Sequence, residues 1–278
     1  MKAGAFDYVR PQSVAEAIEL RSQSGRDSQF MAGGQSLVAM MNLRVAQPEL
    51  VIDIGRLPEL RAVSETADEV SLGSCVTHAA VEDGQVPDPS RGLMAKVAAG
   101  LAYRAIRTRG TLGGSLALSD PAAEWPTVLS ALDAKVVLRG PKGERIVPCA
   151  EFTTGTYETK LAPDEILGSI RIPKLSAAAR SGYLKFCRKS GEFASSMAVV
   201  VLDPQRGAAR AVLGAANGAP LLLGRTSEAL LAGRANAESL TGAIAADLDA
   251  AAAARRFDEF QRDLHAIIAL RAALQVLA

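Results

Sequence analysis

The sequence is poor in cysteine and has almost no excess charge of one sign. Its three cysteines, Cys75, Cys149 and Cys187, lie far apart among 278 residues and form no CxxC pair. They are too few for even one Cys₄ site, so this chain alone indicates no iron–sulfur or zinc centre, and we expect core thiols. Lys and Arg number 31 against 30 Asp and Glu, a net charge of +1. This balance excludes a strongly basic nucleic-acid surface.

Long apolar runs are also missing. The most apolar short run, Met197 to Leu202, is far below the roughly 20 residues that span a bilayer. The start, MKAGAFDYVRPQSVAEA, has no apolar core of a secretory signal. We therefore expect a cytoplasmic globular protein without a transmembrane segment. With 278 residues and 49% hydrophobic residues, the chain is long enough for two domains.

Hydrophobic periodicity predicts a small α/β unit over about residues 1–57. Ser13, with Glu16 three residues later, is a typical N-cap for a helix over 13–24. LVIDI at 50–54 has the pattern of a buried strand. Over 58–175 we predict one helical stretch at 92–107, a glycine-rich turn at 111–115 and a helix from about 120–123 to 132. The strands predicted there are EVSLG, AKVVLRG, ERIVPCAEF and EILGSIRIP.

The pattern changes near residue 176. YLKFCRK, MAVVVLD and ARAVLGAANGAPLLL predict three antiparallel strands, and Ala-rich helices follow them. Strands followed by helices are typical of an α+β domain. We therefore place one domain at 1–175, with subdomains of about 1–57 and 58–175, and a second domain at 176–278.

Two glycine pairs are flanked by hydroxyl side chains. The first, AGGQS, covers Ala32 to Ser36 between a strand and a helix start, where Ser36 is placed to cap the helix. The second, TLGGS, covers Thr111 to Ser115. Glycine lets a backbone approach a ligand closely, and N–H groups at a helix N-terminus attract anions. Taken singly, each pair is also typical of a simple tight turn. Neither belongs to GxGxxG, and the chain has no GxxxxGK[ST].

The full strings around the two pairs are more specific. AGGQSLVAMMNLRVAQPELVIDI and RTRGTLGGSLALSDPAAEWP closely resemble the two flavin-binding signatures of the FAD subunit in the xanthine dehydrogenase and carbon monoxide dehydrogenase family. The likeness extends to FDYVRPQSVAEAI, EILGSIRIP and YLKFCRKSGEFASSMAVVV. It implies a two-subdomain FAD-binding fold of the vanillyl-alcohol-oxidase (PCMH) type, followed by an α+β domain of the carbon monoxide dehydrogenase flavoprotein type.

The resemblance also implies which residues hold a non-covalent FAD. The two glycine strings would contact the pyrophosphate and ribityl chain, and Glu124, with Asp120 as second choice, would accept a hydrogen bond from an FAD hydroxyl. Leu167 would touch the flavin through its backbone, and Lys185 would place a cation near the pyrimidine edge. The implied cofactor-binding residues are Ala32, Gly33, Gly34, Gln35, Ser36, Leu37, Gly110, Thr111, Gly113, Gly114, Ser115, Asp120, Glu124, Leu167, Lys185 and Phe193.

This chain departs from the family pattern at several of these positions. Gln35 stands where the family often has His, Ser115 where it commonly has Asn, and Glu124 where it usually has Asp. Each replacement keeps a hydrogen-bonding group. Phe193 stands where an aromatic residue, often Tyr, follows the Lys-Phe-x-Arg stretch. It is equally compatible with stacking near the flavin and with the core.

Other residue types capable of chemistry lie outside the signatures. His78 and His265 are the only histidines, and we expect surface or packed side chains for both. Arg104, Arg107 and Arg109 flank the second glycine pair. They are compatible with steering an anionic cofactor and with a solvated cationic face. Trp125, the only Trp, is expected to pack in the core.

By resemblance, the chain would be the FAD-binding electron-transfer subunit of a heterotrimeric molybdenum hydroxylase, without catalytic residues or a metal site of its own. A large subunit would carry molybdopterin and a small one two [2Fe–2S] clusters, in a dimer of heterotrimers that passes electrons to an external acceptor. Two alternatives stay open. One is a stand-alone flavin oxidoreductase of the same fold, and the other is a scaffold subunit that has lost FAD. The intact glycines Gly33, Gly34, Gly113 and Gly114 argue against the scaffold.

Overall fold

A computed structural model describes residues 2–278, which form fourteen strands, eleven α-helices and two short 3₁₀ helices. The strands are β1 (Asp7–Val9), β2 (Ser28–Met31), β3 (Leu50–Asp53), β4 (Val63–Glu65), β5 (Glu69–Gly73), β6 (Lys135–Gly140), β7 (Gly143–Pro148), β8 (Thr153–Gly155), β9 (Glu158–Thr159), β10 (Ile166–Pro173), β11 (Arg180–Phe186), β12 (Ser196–Asp203), β13 (Ala208–Gly214) and β14 (Leu221–Leu222). The helices are α1 (Val14–Gln23), α2 (Leu37–Asn42), α3 (His78–Glu82), α4 (Leu93–Ala99), α5 (Arg104–Arg107), α6 (Leu112–Leu118), α7 (Glu124–Ala131), α8 (Cys149–Phe152), α9 (Gly224–Leu231), α10 (Ala237–Arg255) and α11 (Glu259–Leu274).

The first sheet is parallel, with the strand order β1-β3-β2. Helix α1 buries Val14, Ala17 and Ile18 in the same apolar cluster as Leu50 and Ile52 of β3. The predicted cap is confirmed, because the hydroxyl of Ser13 accepts a hydrogen bond from the Glu16 N–H at 3.1 Å. The carboxyl ends of β2 and β3 therefore emerge side by side, and the first glycine pair directly follows β2.

The second sheet is antiparallel and has the order β4-β5-β10-β6-β7. Its core contains α7, in which every residue is buried, including Trp125 as predicted. Helix α7 also contacts β12 and β13 of the next sheet. Helix α7 thus packs between the second sheet and the C-terminal sheet.

The third sheet has four antiparallel strands in the order β11-β12-β13-β14, where the sequence predicted three. The predicted third strand is broken because Ala215, Asn217 and Gly218 all have positive φ angles, so the chain reverses before β14. All eight residues of β12 are buried. One of its faces packs in the core of α7, and the other packs under α10 and α11.

Three further predictions about the middle of the chain need correction. The helical stretch 92–107 is two helices, α4 and α5, because the chain turns after Gly100 and Ala102 has a φ of 37°. ERIVPCAEF is a strand only to Pro148, after which α8 begins. The glycine-rich turn at 111–115 is the first turn of α6, with Thr111 as its N-cap.

The mixed composition of helices and strands is confirmed. Across residues 2–278, none of the helices is both long enough and apolar enough to cross a membrane.

Candidate functional site

The two glycine segments, which we call loop 1 (Ala32–Ser36) and loop 2 (Gly110–Ser115), touch each other. A Cβ built on Gly33 would lie 2.0 Å from the carbonyl oxygen of Arg109, far inside van der Waals contact, so only glycine permits this approach. A Cβ built on Gly114 would lie 4.0 Å from the Cβ of Ala32. The structure thus joins two segments that are about eighty residues apart in sequence.

Loop 1 offers backbone donors without protein acceptors. Among residues 2–278, no acceptor contacts the backbone N–H groups of Gly33, Gly34, Gln35 or Ser36. Gly34 has a φ of 72°, a conformation that β-carbon-bearing residues rarely adopt. The Gln35 side chain folds back and donates to the Gly33 carbonyl at 3.3 Å. Ser36 stands at the N-cap of α2, but the predicted side-chain cap is wrong, since its hydroxyl makes no such bond.

Loop 2 differs, because its backbone N–H groups from Leu112 to Ser115 already have protein acceptors. The N–H of Leu112 donates to Val76 at 3.0 Å, and that of Gly113 to Ser74 at 2.8 Å. The N–H groups of Gly114 and Ser115 donate to the Thr111 hydroxyl at 3.0 Å and the Thr111 carbonyl at 3.1 Å. Over Leu112 to Ser115, loop 2 therefore offers an exposed Gly114 and the positive end of α6 instead of a run of free N–H groups.

A buried ion pair joins α7 to the C-terminal sheet. Lys185 Nζ of β11 lies 2.6 Å from Glu124 Oε1, the first residue of α7, and the side chains are 9% and 5% exposed. Burial raises the pKa of Glu124, and the charge and hydrogen bond of Lys185 oppose that rise. Burial and the nearby Glu124 carboxylate raise the pKa of Tyr183. The structure therefore places two predicted site residues against each other.

Asp120 and Leu167 lie on elements that support the same region. The carboxylate of Asp120 accepts from the Ala122 N–H at 2.9 Å and from the Tyr157 hydroxyl at 3.1 Å. Leu167 is 4% exposed in β10, just before a bulge at Gly168. The Gly168 carbonyl accepts a hydrogen bond from the Ser74 N–H at 3.0 Å. The Ser74 carbonyl in turn accepts one from the Gly113 N–H of loop 2. The backbone beside Leu167 is thus tied to loop 2 through one residue.

Phe193, Leu37 and Gly110 complete the set of predicted cofactor-binding residues. Phe193 is 63% exposed, which excludes the core as its location. Leu37 begins α2 and is partly buried, whereas Gly110 is buried against His78.

A cavity of about 270 Å³ opens beside loops 1 and 2, at the carboxyl edge of the parallel sheet. Arginines dominate its charged lining, with Asp53 as the carboxylate on its wall. Sequence reasoning missed most of them, although Arg10 and Arg56 follow the ends of β1 and β3, where ligands of α/β sheets commonly bind. The arginines are Arg10, Arg56, Arg61 and Arg109.

The other two arginines near loop 2 are not available to an anion. Arg104 lies 2.7 Å from Glu82, which Arg107 also contacts at 2.8 Å. Asp83 gives Arg104 a second carboxylate partner. Of the three arginines flanking loop 2, only Arg109 lines the cavity.

Both histidines are packed in the interior and not on the surface, the two locations that the sequence left open. The Trp125 indole donates to His78 Nδ1 at 3.0 Å, and burial, with a contribution from Arg107, lowers the pKa of His78 to about 4. His265 Nδ1 lies 2.8 Å from the Ser196 hydroxyl, and burial lowers its pKa to about 4. Cys75 and Cys149 are buried thiols, whereas Cys187 is partly exposed. The backbone N–H of His78 donates to the Gly110 carbonyl at 2.9 Å, so this residue supports loop 2 structurally.

Comparison with known proteins identifies the first part of the chain. Residues 4–175 match the family described as the FAD binding domain in molybdopterin dehydrogenase. The chain is 40% identical over 203 residues to the nicotine 6-hydroxylase medium subunit of Paenarthrobacter nicotinovorans, covering 73% of this chain and 71% of the relative. It is 39% identical over 197 residues to the carbon monoxide dehydrogenase medium chain of Hydrogenophaga pseudoflava, covering 71% and 69%.

Structural similarity extends over the whole chain. A chain of carbon monoxide dehydrogenase from Hydrogenophaga pseudoflava, in a form that lacks the Mo-pyranopterin moiety of its molybdenum cofactor, superposes with a TM-score of 0.91 at 33% identity. The match covers 100% of this chain and 99% of the other. The relatives with these names are medium subunits of molybdenum-containing oxidoreductases.

Proposed function

This chain belongs to the family of FAD-binding domains in molybdopterin dehydrogenases, and from that premise we propose that it is the electron-transfer subunit of a heterotrimeric molybdenum hydroxylase. The observation that carries the proposal is loop 1, with four consecutive backbone N–H groups that lack a protein acceptor, packed on loop 2. We propose the PCMH-type division into residues 1–175, with subdomains of about 1–57 and 58–175, and a C-terminal domain over 176–278.

The residues present fit a dinucleotide diphosphate. Free N–H groups in loop 1 supply hydrogen bonds to anionic oxygens, and Gly34 keeps the backbone accessible. The Thr111 hydroxyl and the exposed Gly114 lie at the same junction in loop 2. Arg109 adds a cation that no carboxylate of residues 2–278 neutralises. This cradle supports the assignment of Ala32–Leu37 and Gly110–Ser115 to the pyrophosphate and ribityl chain.

The flavin end would lie toward Glu124, Lys185 and Leu167. When bound, FAD supplies the redox chemistry, and the protein supplies orientation and electrostatics. Lys185 would hold a cation near the pyrimidine edge, but Glu124 at 2.6 Å already balances much of its charge. The exposed Phe193, on the segment between β11 and β12, is available to cover the ring. Asp120 would act through its contact with Tyr157 as a support for this region.

Substrate oxidation would take place in partner subunits. We propose a large subunit with molybdopterin and a small one with two [2Fe–2S] clusters, assembled as a dimer of heterotrimers. Electrons would arrive from those clusters and leave to an external acceptor. The names of the relatives as medium subunits support the assembly. The buried free thiols Cys75 and Cys149 favour the reducing cytoplasm as the compartment.

The loop 2 assignment is tested with Gly114→Val. Gly114 has no positive φ, and its added Cβ would meet only the Thr111 hydroxyl at 2.9 Å and Ala32 at 4.0 Å. A side chain there points at the loop junction, so we expect FAD affinity to fall at least about tenfold, or 1.4 kcal/mol. Gly242→Val in α10, where a Cβ meets nothing within 4 Å, is the matched control. Wild-type affinity of Gly114→Val, measured by flavin fluorescence titration, would refute the assignment.

The electron-transfer role is tested with the chain expressed without partners and loaded with FAD. Acid precipitation should release FAD into the supernatant, because the proposal is non-covalent binding. Dithionite should reduce the loaded chain, and ferricyanide should reoxidise it. Nicotine, caffeine and glyceraldehyde, compounds in the names of relatives, should not reduce it. Rapid reduction by one of them would favour the stand-alone flavin oxidoreductase.

A further inference from the structure

Helix α11 has two faces of different character. Its inner face, which includes His265, Ile268, Ala269, Ala272 and Ala273, is buried under the C-terminal sheet. Its side contacts α10, where Arg262 pairs with Asp249 at 2.6 Å. The outer face is directed to solvent, and Phe260, Ile267 and Leu274 on it are exposed.

The outer face carries large apolar residues at heptad spacing. Phe260, Ile267 and Leu274 are 71%, 49% and 36% exposed. Because they are seven residues apart, they form one row about 21 Å long, at 1.5 Å per residue. Rows of this kind are typical of helix–helix interfaces, whereas apolar residues exposed one at a time need no explanation.

Two charged residues lie on the same face, between the apolar ones. Arg271 has no carboxylate partner within residues 2–278, and Asp263 has only Arg262 at 4.0 Å, which is already bound to Asp249. Asp263 lies four residues before Ile267, and Arg271 lies four residues after it. The two charged residues are thus equally distant from Ile267 along the helix, and they carry opposite charges.

We infer that this face binds the same face of a second copy of the chain, with the two α11 helices antiparallel and crossing at Ile267. In a two-fold interface, a residue n positions before the centre lies opposite the residue n positions after it. Phe260 then meets Leu274 of the copy, and Asp263 meets Arg271 of the copy, twice each. A parallel arrangement would place like charges together, so the charge pattern selects the antiparallel one.

An interface made by one apolar row on each α11 helix would be small. Contacts of this size are typical of weak, reversible association. We therefore expect a concentration-dependent dimer of the full-length, FAD-loaded chain. The inference does not depend on the flavin assignment, because α11 lies in the C-terminal part and the loops do not contribute to the row.

Sedimentation velocity over a concentration series tests the inference by charge exchange. Asp263→Arg places Arg opposite Arg271 of the copy, and Arg271→Asp does the converse, so each should weaken association at least about tenfold. The double variant Asp263→Arg with Arg271→Asp should restore it, because both pairs are re-formed with reversed sign. Ile267→Glu should also abolish the dimer. Glu238→Gln, exposed in the first turn of α10 and off the face, is the control and should leave the dimer intact.

Circular dichroism spectra of all variants should match the wild type, since the changed residues are on the exposed outer face. A wild-type chain that stays monomeric throughout the series would overturn the inference. So would a dimer that Ile267→Glu leaves intact, or a double variant no better than the single ones. Protection of α11 from hydrogen exchange only in the presence of a molybdopterin or iron–sulfur subunit would assign the face to that partner instead.

Discussion

The Lys185–Glu124 pair gives the sharpest prediction about stability. Its two charged atoms are 2.6 Å apart, and the side chains are 9% and 5% exposed. Lys185→Met removes the cation but keeps the apolar stem, so the carboxylate of Glu124 is left buried without its partner. Breaking a buried pair in this way costs about 3–5 kcal/mol of unfolding free energy. We expect that loss near pH 8, from urea unfolding followed by circular dichroism.

The pH dependence of the loss follows from the pKa of Glu124. Burial raises the pKa of this carboxyl, and Lys185 restrains the rise. A carboxyl with a raised pKa in the folded state supports folding while it is protonated, and the support is lost as pH rises through that pKa. Without Lys185, the pKa rises further and the ionised form costs more. The destabilisation by Lys185→Met should therefore be smaller near pH 5 than near pH 8.

Two further variants control for the substitution itself. Lys174 pairs with Glu65 at 2.7 Å, but the side chains are 27% and 48% exposed, so Lys174→Met should cost below about 1 kcal/mol. Adding Glu124→Leu to Lys185→Met removes the orphaned carboxylate and should recover most of the loss. If Lys185→Met costs no more than Lys174→Met at pH 8, the argument from burial is refuted.

Two other residues give predictions with different assays. Because burial lowers the pKa of His265 from 6.5 to about 4, the stability it contributes is complete above pH 6.5 and is lost as pH falls toward 4. The full loss is roughly 3.5 kcal/mol at 1.4 kcal/mol per pKa unit, and a His265→Gln chain should show a flatter urea-midpoint profile over this range. Arg109→Ala should weaken FAD binding and reduce its salt dependence, whereas Arg104→Ala should not, since Arg104 is already paired with Glu82 and Asp83. Equal effects of the two arginine variants in flavin titrations would contradict the assignment of the cavity.

Features that depend on neighbouring residues were predictable from the sequence. Ser13 caps α1 as predicted, since a cap involves residues three positions apart. The run Met197–Leu202 predicted a strand, and it is one that is buried on both faces. The glycine strings were recognisable because close backbone contact leaves no tolerance for a Cβ, as at Gly33.

Features that depend on distant residues were not predictable. Glu124 and Lys185 are 61 positions apart, and no local pattern says that one carboxylate faces one lysine. Arg107 likewise lies near loop 2 in sequence, but Glu82, 25 positions away, takes its guanidinium. The break between α4 and α5 depends on the left-handed conformation of Ala102, which alanine does not signal.

The same distinction explains why two similar glycine strings do different work. By sequence, TLGGS and AGGQS both read as N–H-rich anion sites. The fold then brings Ser74 and Val76 to loop 2, and their carbonyls take the N–H groups of Gly113 and Leu112. Gly33 of loop 1 instead meets the backbone of Arg109 and Gly110, which comes too close for any Cβ but accepts no hydrogen bond from the N–H groups of Gly33 to Ser36. In the proposed FAD site, hydrogen bonds to the diphosphate would therefore come mainly from loop 1, while loop 2 would contribute hydroxyls, the α6 dipole and the open backbone at Gly114.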